Sequence, residues 1–128
     1  MPKALLVSIV EDDRFFRKSM QRLIRSLGYT VEVISSAAAF LASPRRVETA
    51  CLTADVHMPA MSGVELCKYL IGAGSGIPTI LVTAYPNDVD RALNEGAVCY
   101  LRKPIDENHL MRCLRAALQS GEPIYENS

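Results

Sequence analysis

Leu5-Leu6-Val7-Ser8-Ile9-Val10 is a short apolar run that breaks at once into Glu11-Asp12-Asp13. Its residues do not alternate strictly between apolar and polar, which predicts a strand buried on both faces with acids at its carboxyl end. The run is too short to span a membrane, and no small-residue cleavage site follows it. The same unit returns along the chain. Tyr29 to Ile34 predicts a strand leading to Ser35-Ser36, and Ala50 to Ala54 one ending in Asp55. Ile77 to Val82 predicts a strand followed by Thr83, and Ala97 to Leu101 one followed by Lys103-Pro104.

Between these runs the period changes from strand to helix. Arg14 to Leu27 sets Phe16, Met20, Leu23, Ile24 and Leu27 on one stripe and stops at Gly28. Ser36 to Ala42 predicts a short helix capped by its serine and closed before Pro44. Ser62 to Ile71 opens with Ser62 and Glu65, the pair that forms a capping box. Asp88 to Glu95 predicts a helix ending at Gly96, and Asp106 to Gln119 one with Leu110, Leu114 and Leu118 on a single face. Five alternations without a repeat or linker predict an α/β fold, a doubly wound parallel sheet with right-handed crossovers and helices on both faces. Periodicity alone leaves the strand order open. One domain over residues 1–120 is expected, with a loose polar tail over 121–128.

Composition agrees with a soluble globular chain: of 128 residues, 49% are hydrophobic and 22% charged. Fourteen basic and fourteen acidic residues cancel, which argues against a global field for nucleic acid or an anionic membrane. Arg45-Arg46 reads as a solvated loop. Cys51, Cys67, Cys99 and Cys113 form no CxxC pair, so neither a disulfide framework nor a zinc site is expected. A reducing, cytoplasmic location fits that usage.

Ligands of an open parallel sheet bind beyond the carboxyl ends of its strands. There the chain offers Glu11, Asp12 and Asp13, then Asp55, Thr83 and Lys103. Clustered carboxylates repel one another unless a cation joins them, and an all-oxygen set selects a hard ion such as Mg²⁺. Asp13 is read as the cap of the first helix. Asp55 is poorly explained that way, because Met58-Pro59 intervenes before the next helix.

Val10-Glu11-Asp12-Asp13, Asp55-Val56-His57-Met58-Pro59 with Ser62-Gly63, Val82-Thr83-Ala84, and Gly96 through Pro104 together resemble the motifs of response-regulator receiver domains. The resemblance runs from Leu5 to about Leu118. It implies a flavodoxin-like sheet of order 2-1-3-4-5 with five helices. It further implies a two-component switch that takes a phosphoryl group from a phosphohistidine of a sensor histidine kinase or histidine phosphotransfer protein. Asp55 matches the phosphoacceptor. Glu11 and Asp12 match the acidic pair that holds Mg²⁺, or Mn²⁺ in its place, together with Asp55 and the backbone carbonyl of His57. Thr83 matches the hydroxyl that meets the phosphoryl group, Lys103 the lysine that pairs with it, and Tyr100 the switch aromatic. Lys103-Pro104 matches a cis peptide. His57 and Tyr85 flank the acyl phosphate and are expected to tune its lifetime, while His109 is read as a surface residue.

Such a domain catalyses its own modification and is a switch rather than an enzyme. The implied partners are the kinase and an output domain or target protein, with a phosphorylation-dependent homodimer and no direct contact with nucleic acid or membrane. The motifs look most like receivers that precede a LuxR-type helix-turn-helix. The interval from Thr83 to Lys103 is 20 residues, shorter than in many relatives, so the helix around Asn87 to Glu95 is expected to be short. Three rivals fit less well. A phosphatase of the haloacid dehalogenase type wants a second Asp where His57 stands. A nucleotide site on Gly72-Ala73-Gly74-Ser75-Gly76 would need glycines after a strand, not before one. A receiver-like interaction module that signals without phosphorylation would not need the full set of acids, Thr83 and Lys103.

Overall fold

A computed structural model of the chain describes residues 5–85 and 96–119. Five parallel strands lie in the order β2-β1-β3-β4-β5: β1 (Leu6–Val10), β2 (Thr30–Ile34), β3 (Thr49–Asp55), β4 (Thr79–Thr83) and β5 (Cys99–Arg102). Four α-helices are described: α1 (Arg14–Ser26), α2 (Ala37–Ala42), α3 (Gly63–Gly72) and α4 (Glu107–Leu118). The α/β class and the strand order match the expectation. The helix expected over Asp88 to Glu95, its predicted shortness and the tail over 121–128 lie outside the described residues. No helix among the described residues is long and apolar enough to cross a membrane.

β1 is buried along its whole length, Ser8 included, as its lack of strict alternation predicted. The period of two then sorts side chains to opposite faces. Val7, Ile9, Cys51, Ile80, Val82 and Leu101 pack with Met20 of α1 and with Leu110 and Leu114 of α4. Val10, Leu52, Ala54 and Leu81 pack with Phe40 of α2 and with Leu66 and Leu70 of α3. Each helix therefore contributes one apolar stripe to one of two cores. Burying a side chain such as Leu52 or Leu81 contributes roughly 1.5–3 kcal/mol.

The helix ends follow local chemistry. Asp13 caps α1, its carboxylate accepting the N–H groups of Phe15 and Phe16. Ser62 and Glu65 form the expected capping box, which holds the Glu65 carboxyl below its ordinary value. Gly28 ends the α1 segment at φ 100°, a conformation that costs glycine little. β4 starts at Thr79 rather than Ile77, because Pro78 has no N–H for the ladder. Residues Pro44–Glu48 form a 3₁₀ turn in which Arg45 pairs with Glu32 at 3.6 Å and Glu48 at 3.9 Å. That is a solvated loop carrying its own counter-charges.

The cysteine expectation requires a correction. Cys99 of β5 and Cys113 of α4 are bonded as a disulfide, while Cys51 and Cys67 are buried outside it. The two are 14 residues apart, and only the packing of α4 on the sheet brings their Cα atoms to 5.8 Å.

Gly63 opens α3 directly against the end of β3. A Cβ there would run into the backbone carbonyl of Asp55 and approach Leu81 at 3.1 Å. Gly63→Ala should therefore cost about 1–3 kcal/mol, as forced overpacking does, read as a lower urea midpoint. An unchanged midpoint would contradict this close approach.

Candidate functional site

β1 and β3 are neighbours whose crossovers leave on opposite faces of the sheet. Their carboxyl ends consequently border a crevice, and the functional side chains collect around it. Asp55 is the last residue of β3 and is 7% exposed. Its Oδ1 accepts the backbone N–H of His57 at 3.1 Å, and its Oδ2 accepts a hydrogen bond from Lys103 Nζ at 3.0 Å. Glu11 follows β1 and is 2% exposed. Its Oε2 accepts the N–H of Asp13 at 3.0 Å, and its Oε1 accepts from the same Lys103 ammonium at 3.2 Å. Asp12 is exposed, yet carboxylate oxygens of Glu11, Asp12 and Asp55 all lie within 4.8 Å of one another.

The electrostatics explain why the cluster suits a cation. Burial, the largest effect, pushes the Glu11 carboxyl up to about 7. The Asp13 N–H opposes that rise, the hydrogen bond and charge of Asp55 add to it, and Lys103 opposes it. For Lys103, burial disfavours the charged form, but the hydrogen bond and charge of Asp55, together with Glu11, outweigh it and raise its pKa. One ammonium thus serves two buried carboxylates beside a third acid. The donors are all oxygens with an excess of negative charge, so the residues present fit a hard divalent ion.

A pH effect follows. Folded Glu11 holds its proton to about pH 7, against an ordinary value of 4.5. The folded state therefore binds more protons than the unfolded state between those limits. Its stabilisation is complete below about pH 4.5 and is lost as pH rises toward 7, by up to about 3 kcal/mol. In chelator, urea denaturation of Glu11→Gln should lack this decline, whereas the parent protein shows it. Parallel pH profiles for the two proteins would refute the assignment.

Thr83 ends β4, fully buried, and its Oγ1 accepts the N–H of Tyr85 at 3.0 Å. The rings of Tyr85 and His57 meet edge to face with centroids 4.9 Å apart, so the two flanking positions touch each other at the rim. Tyr100 lies half-buried in β5, its ring edge-on to His109 at 6.2 Å. His109 is therefore a partly buried neighbour of Tyr100 rather than a plain surface residue. The Lys103–Pro104 peptide is cis, and the Lys103 N–H donates to the Thr83 carbonyl at 2.8 Å.

Two residues at the site escaped the sequence reading. Phe16 belongs by its spacing to the apolar stripe of the first helix, but its ring lies 4.1 Å below Lys103 Nζ, a cation–π contact that steadies the ammonium. Arg17 Nη1 donates to the Glu11 carbonyl at 2.8 Å and fixes the acidic turn. The nearness of both to Glu11 in the sequence was the available signal.

Comparison with known proteins gives the chain a family. Residues 7–115 match the response regulator receiver domain family. The chain is 36% identical over 120 residues to the response regulator protein TodT of Pseudomonas putida, covering 91% of this chain and 52% of TodT. It is 36% identical over 121 residues to the transcriptional regulatory protein FixJ of Azorhizobium caulinodans, covering 92% of this chain and 57% of FixJ. The chain thus spans about half the length of these relatives. The crystal structure of FixJ-N superposes with a TM-score of 0.83 at 32% identity, covering 93% of this chain and 96% of that one. A CheY-like receiver domain protein from Methanospirillum hungatei JF-1 gives 0.81 at 26% identity, covering 93% and 97%. With most of its length matched by the family and the five-stranded fold shared, the chain belongs to the response regulator receiver domain family of two-component signalling proteins.

Proposed function

We propose that Asp55 accepts a phosphoryl group from the phosphohistidine of a sensor histidine kinase or histidine phosphotransfer protein. The observation that carries this reading is the Lys103 ammonium bridging Asp55 and Glu11, at 3.0 and 3.2 Å, within a three-carboxylate cluster. An Asp55 carboxylate oxygen attacks phosphorus, the P–N bond breaks, and the imidazole leaves with the electron pair. Such transfer needs alignment and charge neutralisation more than acid–base chemistry. Lys103 supplies one positive charge, and the His57 N–H orients the nucleophile. Glu11, Asp12, Asp55 and the His57 carbonyl would hold Mg²⁺ or Mn²⁺, which supplies positive charge toward the phosphoryl oxygens.

The phosphorylated site gains roughly two negative charges and three acceptors. Thr83 releases its Tyr85 contact to bond a phosphoryl oxygen, and Tyr100 turns into the space so vacated. The face around β5 and α4 then changes its packing, a population shift biased by local charge. His57 and Tyr85, in contact at the rim, limit water access and so set the acyl-phosphate lifetime. The domain promotes its own phosphorylation and hydrolysis and otherwise acts as a switch. It works in the cytoplasm on an output domain or target protein, with homodimer formation as one output. The transcriptional role in FixJ's name supports an output of that kind.

Incubating the full chain with acetyl phosphate and Mg²⁺ tests the reading. Intact-mass spectrometry should show a gain of one phosphoryl group, removable by hydroxylamine as expected of an acyl phosphate. No gain, or a hydroxylamine-resistant adduct, would overturn it.

A further inference from the structure

A second chemically distinctive cluster lies at the edge of the sheet, apart from the acidic crevice. Cys99 begins β5, which pairs only with β4 among the described residues, and it is half-buried; Cys113 of α4 is fully buried. Their Cα atoms are 5.8 Å apart, within the ordinary span of a disulfide. His109 stands one turn before Cys113, and its ring nitrogen and both sulfurs lie within 4.8 Å of one another. Cys99 adjoins Tyr100, whose carbonyl oxygen is 3.9 Å from Cys99 Sγ and 4.0 Å from Cys113 Sγ. The remaining cysteines differ. Cys51 and Cys67 are buried, and burial pushes the Cys51 thiol up to about 12, which leaves it inert.

We propose that Cys99 and Cys113 are a reversible thiol–disulfide pair, a covalent modification site closed by a small-molecule disulfide. The half-buried Cys99 thiolate attacks one sulfur of that disulfide, forming a mixed disulfide and releasing the first thiolate. Cys113 gives its proton to His109 and attacks the Cys99 sulfur, forming the internal bond and displacing the second thiolate. Two electrons pass to the small molecule, which ends as two thiols once protons are supplied. Cys51 and Cys67 take no part. In a reducing compartment the pair rests as thiols, and disulfides there are usually transient and redox-sensing.

Closing the bond ties the edge strand to the last helix on both sides of Tyr100, across a 14-residue separation. The constraint acts chiefly on the unfolded chain and should raise the melting temperature by about 10 °C for a loop of this length. This assignment is independent of phosphorylation at Asp55.

The test uses the full chain, reduced and then equilibrated in glutathione buffers of increasing glutathione-disulfide content. Free thiols are blocked with N-ethylmaleimide and the protein is digested for mass spectrometry. Peptides joining Cys99 to Cys113 should accumulate as the buffer becomes oxidising and vanish with dithiothreitol, while Cys51 and Cys67 stay available for alkylation in denaturant. Cys99→Ser, at the half-exposed position, should keep its circular dichroism spectrum and lose both the joined peptide and the melting difference. Cys113→Ala gives the same readout if the edge variant is poorly folded. Persistence of four free thiols, a glutathione adduct on Cys99 that never resolves, or zinc uptake by the reduced protein that keeps the bridge from forming would each overturn the proposal.

Discussion

Asp55→Asn is expected to keep the fold and lose phosphoryl acceptance, by at least about a thousand-fold, as loss of a nucleophile does. The amide retains the size of the carboxylate, and its oxygen still accepts the His57 N–H that Asp55 Oδ1 takes at 3.1 Å. It has no anionic oxygen to attack phosphorus. Removing the charge also relieves Glu11, whose carboxyl is raised in part by Asp55, so Lys103 and Glu11 remain paired and the site does not collapse. Acetyl-phosphate labelling followed by intact-mass spectrometry reads the result. Continued labelling at the parent rate would move the acceptor elsewhere.

Lys103→Ala should slow acceptance by about 10²–10³-fold, the usual loss when one preorganised charge stabiliser is deleted. The side chain is 22% exposed, so its truncation opens little core. Its effect is electrostatic: Asp55 and Glu11 lose the cation they share, and the Glu11 carboxyl, which Lys103 holds down, rises further. Lys103→Arg keeps the charge but replaces a compact ammonium over Phe16 with a planar fork, and should recover only part of the rate. The check is the phosphorylation rate constant at saturating Mg²⁺, paired with the carboxyl titration of Glu11 by NMR. Parent-like rates in Lys103→Ala would remove the lysine from the chemistry.

Much of this architecture can be read from residue order, for identifiable reasons. The run from Leu6 to Val10 has no polar face, so it had to lie inside a parallel sheet, and the acids after it had to emerge at the rim. Asp55, Thr83 and Lys103 follow the same logic at β3, β4 and β5. Strand order is different. Strands buried on both faces look alike in sequence, and the order 2-1-3-4-5 came from resemblance. Phe16 shows a related limit: a helical stripe says that a ring faces inward, not that an ammonium from β5 lies across it. The Cys99–Cys113 pair was illegible because its meaning arises only when α4 packs on β5.

The central claim is that carboxylates at the ends of two strands share one divalent ion and thereby let Asp55 carry a phosphoryl group. A crystal structure of the full chain grown with Mg²⁺ and beryllofluoride measures this most directly. The expected result is one ion ligated by Asp12, Asp55 and the His57 carbonyl, with Glu11 at most one water away, and the beryllium on an Asp55 oxygen beside Lys103. An ion bound elsewhere, or beryllofluoride absent from Asp55 at full Mg²⁺ occupancy, would contradict it.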